Sequence, residues 1–187
     1  MNIDFLKLHP SVPLFALLLS TGPLAHAGQP GPNTLSPQDK AAGWRLLFDG
    51  TSVTSWRSFG KDTAPAAGWE VSQGWLIKKA GQKPGNLVSR EEFSDFEFSW
   101  EWRMKPGGNN GIKYFVDEAR GNLGHEYQML AKSEEKPGKG STAGFYAVLA
   151  PLDPPPVAFF PDVNSSRIRV EANKVTPVSY THLTLPT

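Results

Sequence analysis

Glu126 and Gln128 stand two residues apart in the run His125-Glu126-Tyr127-Gln128, and Glu101 and Arg103 share that spacing in Trp100-Glu101-Trp102-Arg103. In an extended chain, residues two apart lie on one face. Lys113, between Ile112 and Tyr114, takes the face opposite its apolar neighbours. If these faces line one concave sheet surface, Glu126, Gln128, Glu101, Arg103 and Lys113 form a polar floor. A carboxylate can act as a general base, and a lysine or arginine can stabilise a negative charge. The same residue types on the polar face of a strand are most often simply solvated. Glu101 and Arg103 fit equally well as members of a cross-strand ion pair, worth about a few tenths of a kcal/mol. His125 falls on the face opposite Glu126 and reads as a structural histidine, although its type suits a base near neutral pH.

These residues need strands to position them, and the sequence supplies strand signals. In 96–104, Phe96, Phe98, Trp100, Trp102 and Met104 alternate with Glu97, Ser99, Glu101 and Arg103, the period-two pattern of a strand with one buried face. Trp69-Glu70-Val71 and 75–78 flank Gln73-Gly74 and read as a hairpin. Further short strands are expected at 45–48, 87–89, 112–116, 126–130, 145–149 and 167–170. A helical turn is expected within 38–44. The turn Pro106-Gly107-Gly108-Asn109-Asn110-Gly111 precedes 112–116, and Asn109 and Asn110 most simply serve that turn. Many short strands with regular turns imply an all-β antiparallel sandwich or barrel. Trp100 and Trp102 belong to its core, whereas Trp56 and Trp75 are freer to stack on a ligand ring. Tyr146 fits either a core position or a contact to ligand.

Composition narrows the function classes. The 187 residues suffice for one domain, and 19 basic against 18 acidic residues leave no basic stripe for a nucleic-acid partner. The chain has no cysteine, which removes disulfides, thiolate metal sites and a cysteine nucleophile. Of four histidines, His9 and His26 lie in the N-terminal leader and His182 in the last residues, so a histidine metal cluster cannot be assembled; no metal and no cofactor is expected. Lys7 and His9 precede an apolar stretch, 12–19, and small residues end in Ala25-His26-Ala27. That is the pattern of a secretory signal over 1–27, cleaved after Ala27. The apolar run is too short to span a bilayer, so an exported protein, periplasmic or secreted and without an integral membrane segment, is expected. A flexible lead-in over 28–40 follows.

The series of motifs resembles the 3-keto-disaccharide hydrolase domain family. It comprises Gly43-Trp44-Arg45-Leu46-Leu47-Phe48-Asp49-Gly50, Trp56, Gly68-Trp69-Glu70-Val71, Phe93-Ser94-Asp95-Phe96-Glu97-Phe98, Glu101-Trp102-Arg103, Asn109-Asn110-Gly111-Ile112-Lys113-Tyr114, Glu126-Tyr127-Gln128, Phe145-Tyr146 and Asn164-Ser165-Ser166-Arg167-Ile168-Arg169-Val170. The resemblance implies a concanavalin- or laminin-G-like jelly roll and a carbohydrate substrate, a 3-keto glycoside. A ketone at C3 acidifies the hydrogen on C2, so one base, one group on the enolate oxygen and one acid for the leaving group suffice. Ordinary glycosidases use two carboxylates instead. On this resemblance Glu126 is the base, Lys113 or Arg103 stabilises the enolate oxygen, and Gln128 orients a sugar hydroxyl. Glu101, Asn110, Tyr146 and His125 are further candidates for substrate contact.

Two departures stand out. The family follows its Glu-x-Gln strand with an apolar residue and an aspartate, whereas here Leu130 is followed by Ala131 and Lys132; Glu134 and Glu135 lie close in a different register. The missing carboxylate favours the alternative of a non-catalytic carbohydrate-binding module on the same sandwich. After Val175 the family continues through further strands, so 41–175 is expected to be a domain without its terminal strands and 176–187 a foreign or frameshifted tail; a genuinely short variant is the alternative. Such a domain would have an open sheet edge and uncovered apolar side chains, Trp100 and Trp102 among them.

Overall fold

The computed structural model describes residues 2–9, 33–132, 136–153, 155–172 and 174–181, with backbone alone for 2–9 and 177–181. The apolar part and cleavage site of the expected leader, Glu134, Glu135 and the last residues with His182 lie outside them. The elements in order are β1 (Asn2–His9), α1 (Pro37–Ala41), β2 (Arg45–Leu46), β3 (Trp56–Ser58), β4 (Trp69–Ser72), β5 (Trp75–Lys78), β6 (Leu87–Ser89), β7 (Phe96–Arg103), β8 (Asn109–Asp117), β9 (Leu123–Leu130), β10 (Asn164–Glu171) and β11 (Lys174–Thr181). A sheet ordered β11-β10-β7-β1-β5-β4, with β2 also on β1, faces two ribbons, β3–β6 and β8–β9. Every one of these pairings is antiparallel. The expected all-β sandwich is the architecture found.

The core forms where β7 meets the β8–β9 ribbon. The alternation of β7 buries Phe98, Trp100, Trp102 and Met104 and turns the intervening polar residues away. The Trp100 ring stacks on Phe98 at 5.0 Å and meets Tyr127 edge-on at 5.0 Å, and its indole N–H donates to Met129 Sδ. Ser166 Oγ, on β10, accepts hydrogen bonds from the Trp102 indole at 2.9 Å and the Tyr127 hydroxyl at 3.0 Å, so the polar tips of two core aromatics are satisfied at one atom. Trp100 and Trp102 are therefore fully buried, contrary to the expectation that an incomplete sheet would uncover them. The β8–β9 ribbon covers Trp100. Over Trp102, Asn164 ties the 158–160 segment to the sheet by exchanging hydrogen bonds with the backbone of Ala158.

Local chemistry explains most element ends. Ser36 caps α1 through a reciprocal pair with Asp39, with Pro37 in the first turn. The β4–β5 hairpin turns on Gln73 (φ 50°) and Gly74 (φ 78°), the two left-handed residues that a type I′ turn requires. In residues 2–9 the apolar-polar alternation changes phase between Phe5 and Leu6, and the β1–β7 ladder shifts register between Asp4 and Lys7. Residues 176–181 extend the β10–β11 hairpin to the pair Asn164↔Thr181.

Besides β1, a strand within the expected leader, and β11, a strand that runs into the expected tail, three elements differ from the sequence expectation. The turn before β8 closes at Gly108, so Asn109 and Asn110 stand in the strand and not in the turn. The segment 145–149 makes only isolated bridges, because Ala147 at φ 60° folds it back on itself. β3 carries no alternation of its own and exists through its pairing with β6.

Candidate functional site

A cavity of about 610 Å³ opens between the inner face of the large sheet, the β3–β6 ribbon and the edge of β8 that bears no paired strand among the described residues. Its floor is apolar, with Leu76, Phe96, Phe98 and Ile168; its rim carries Arg57, Asn110, Lys113, Glu118 and Glu126. An apolar pocket with a few convergent polar groups is the usual form of a small-molecule site.

Lys113 and Glu126 are direct partners in the β8–β9 register. Their charged ends lie 3.8 Å apart, with side chains 29% and 22% exposed. Two features hold them there. Lys113 Nζ also donates to the Asn122 carbonyl at 2.8 Å, which fixes the ammonium over the strand. Across the ladder Gly111 leaves space for the Glu126 carboxylate: a Cβ on Gly111 would sit 2.6 Å from Glu126 Cγ and overlap Oε1.

A second ion pair closes the same rim. Glu118, in the 3-10 turn Glu118–Arg120 that follows β8, is gripped by both terminal nitrogens of Arg57 and by the Gly60 N–H at 2.8 Å. These donors, the Arg57 guanidinium foremost, lower the Glu118 pKa to about 2. The pair joins the β3–β6 ribbon to the end of β8. On the same strand, Tyr114 is buried on the core face and desolvation raises its phenol pKa.

The structure gathers some of the expected residues and separates others. Glu126, Lys113 and Asn110 share the cavity wall. Gln128 is on the Glu126 face of β9 but buried, its amide donating to Asn109 Oδ1 at 2.9 Å; the 141–146 segment bonds along β9 and covers it. Glu101 and Arg103 are on the outer face of the large sheet, because the core residues of β7 take the inner one. There the Arg103 guanidinium lies 3.8 Å from the centre of the Trp75 ring. The single polar floor of five residues therefore does not form, and Trp75 is covered rather than free. Trp56 packs against the core and donates its indole N–H to the Leu47 carbonyl. Tyr146 is exposed, bound to β9 through its backbone N–H and the Glu126 carbonyl. His125 is exposed among the rings of Tyr114, Phe115 and Phe145. Among the described residues no group of three or more His, Asp or Glu is placed to hold a metal.

Arg57, Glu118 and Phe115 are rim residues that sequence reasoning did not reach. Nothing in the pattern around Arg57 or Glu118 announces a contact across 61 positions of chain.

The model of the 3-keto-alpha-glucoside-1,2-lyase-like domain matches residues 43–180. A 3-keto-disaccharide hydrolase of Bacteroides thetaiotaomicron is 35% identical over 86 residues, 42% of this chain; the match spans 29% of that protein's length. The crystal structure of a candidate glycosyl hydrolase from Parabacteroides distasonis has the same fold, with a TM-score of 0.65 at 23% identity over 80% of this chain and 77% of that one. The order of strands, the cavity at the β8 edge and the domain match over most of the sequence meet in one assignment: the chain belongs to the 3-keto-alpha-glucoside-1,2-lyase-like domain family.

Proposed function

We propose that this chain cleaves 3-keto glycosides by elimination, with Glu126 as base and Lys113 as the cation on the enolate oxygen. The observation that carries the reading is the Lys113–Glu126 pair on the wall of a cavity with an apolar floor. The Glu126 carboxylate takes the C2 proton, and the C2–H electron pair moves toward C3, leaving negative charge on the C3 oxygen. Lys113 balances that charge. Collapse of the enolate restores the C3 ketone, forms the C1–C2 double bond and breaks the C1–O bond; the proton on Glu126 passes to the departing oxygen. Addition of water across C1–C2 completes a net hydrolysis. Arg103, on the far face of the sheet, has no part in this scheme.

Ala131 favours a second reading, sugar binding without turnover, since this buried alanine stands where the family resemblance leads to a carboxylate. An assay on a 3-keto glucoside separates the two. Turnover that falls by about 10²- to 10⁴-fold in Glu126→Gln supports the enzyme. Binding with no turnover in the unsubstituted chain supports the module, and turnover untouched by Glu126→Gln removes Glu126 as base. Export belongs to the proposal as well: the exported chain should begin at Gly28, and N-terminal sequencing that finds Met1 retained would overturn it. Cleavage there would take β1 from between β7 and β5.

A further inference from the structure

We propose that Glu118 is a positioning residue for Lys113: clamped by Arg57, it fixes the turn whose far end anchors the lysine ammonium. The inference rests on the reading of Lys113 as the cation on the enolate oxygen. Two groups hold that ammonium, and their distances differ. The Asn122 carbonyl accepts from Lys113 Nζ at 2.8 Å, whereas the Glu126 carboxylate stands 3.8 Å away, beyond hydrogen-bond length. The carbonyl is thus the anchor and the carboxylate a neighbour. The two also behave differently in the proposed elimination. Glu126 becomes neutral when it takes the C2 proton, so its pull on Lys113 falls as negative charge grows on the C3 oxygen. The carbonyl dipole is unchanged by that transfer and keeps the ammonium in place through the step.

Asn122 ends the link between β8 and β9, and that link is a compact unit. Asp117 Oδ1 accepts from the Ala119 N–H at 3.0 Å, and the Gly121 N–H donates to the Glu118 carbonyl at 3.2 Å. Gly121, at φ 86°, then turns the chain into Asn122 and β9. The anchor of Lys113 therefore moves with Glu118. The Glu118 carboxylate in turn takes both terminal nitrogens of Arg57, one of them at 3.0 Å, and the Gly60 N–H at 2.8 Å. Closing the hairpin does not call for this clamp, because the β8–β9 ladder runs on to Asp117↔Leu123 and the turn has its own two bonds. What the clamp adds is a fixed point outside the hairpin, on β3 and the residues just after it. Arg57, Lys113, Glu118, Asn122 and Glu126 line the same cavity. The ammonium is thereby held relative to the opposite wall of the cavity and not only to its own strand.

The test reads turnover of a methyl 3-keto-glucoside by the full chain, with Glu118→Ala, Lys113→Met and the double variant. Glu118→Ala should lower kcat by about tenfold and leave KM within about twofold, since the C3 oxygen gains its charge only in the transition state. In the Lys113→Met background the same change should cost less than about twofold, because the group it positions is gone. Arg57→Met breaks the clamp from the other side and should reproduce both results. A merely structural clamp gives equal losses with and without Lys113, and that outcome overturns the proposal. So does a loss confined to KM. A crystal structure of Glu118→Ala gives a reading free of turnover: the contact from Lys113 Nζ to the Asn122 carbonyl should lengthen or break, and a contact kept at 2.8 Å overturns the proposal. The underlying reading fails separately, if Lys113→Met alone leaves turnover intact.

Discussion

β7 and β8 are consecutive in the chain and built on opposite terms. β7 is regular: its alternation is unbroken, and Phe98, Trp100 and Trp102 are buried on one face. β8 has a glycine where a side chain would meet Glu126, a left-handed phenylalanine, a register shift and one paired strand among the described residues. Uniform pattern makes a core, because every second side chain points the same way into apolar surroundings. Interrupted pattern makes a site, because each interruption moves one group out of line. The contrast predicts that damage to β7 acts on stability and damage to β8 acts on chemistry. The largest effect should come from Trp100→Ala, which removes a fully buried ring in contact with Phe98, Tyr127 and Met129. It should cost about 3–5 kcal/mol in denaturant unfolding. A loss below about 1 kcal/mol would mean that the β7 face is not where the fold is held.

Gly111→Ala is the complementary break in β8. The backbone at Gly111 is not left-handed, so alanine is conformationally acceptable there. The new methyl must push the Glu126 carboxylate aside. A displacement of about 1 Å in a reacting group can cost about 100-fold in rate. Turnover should therefore fall by that order, with the melting temperature within a few degrees of the parent. Retained turnover would show that Glu126 need not lie over Gly111, and would weaken its assignment as the base.

The same contrast sets what could be read from sequence. Alternation in 96–104 was enough to place Trp100 and Trp102 in the core, because a period-two pattern is a local record of a buried face. Gln73-Gly74 announced its hairpin because only certain residues accept its backbone angles. That Glu126 and Gln128 share one face of β9 followed from spacing alone. The polar floor failed for a related reason: spacing gives the face of one strand, not which faces of two strands adjoin. Glu101 and Arg103 had the right alternation and the wrong side of the sheet. Arg57–Glu118 joins residues from distant elements, and Phe115 owes its position to a bulge that sequence spacing does not reveal.

The Arg57–Glu118 pair offers the finest test of the comparison, since it ties β8 to a ribbon with which it makes no ladder. Glu118 titrates near 2 in the folded chain because Arg57 and the Gly60 N–H stabilise its charged form; its ordinary value is 4.5. A folded pKa below the unfolded one means that the unfolded chain binds the proton more readily. The stabilisation is thus complete above about 4.5 and drains away as pH falls toward about 2. Glu118→Gln should lower stability slightly at neutral pH and flatten the decline across that window, and added salt should shrink the difference because the pair is partly exposed. Equilibrium unfolding measured from pH 7 down to pH 2 on both chains reads this directly. If the two acid branches run parallel, the clamp contributes nothing to folding, and β8 is held at the cavity rim by β9 alone.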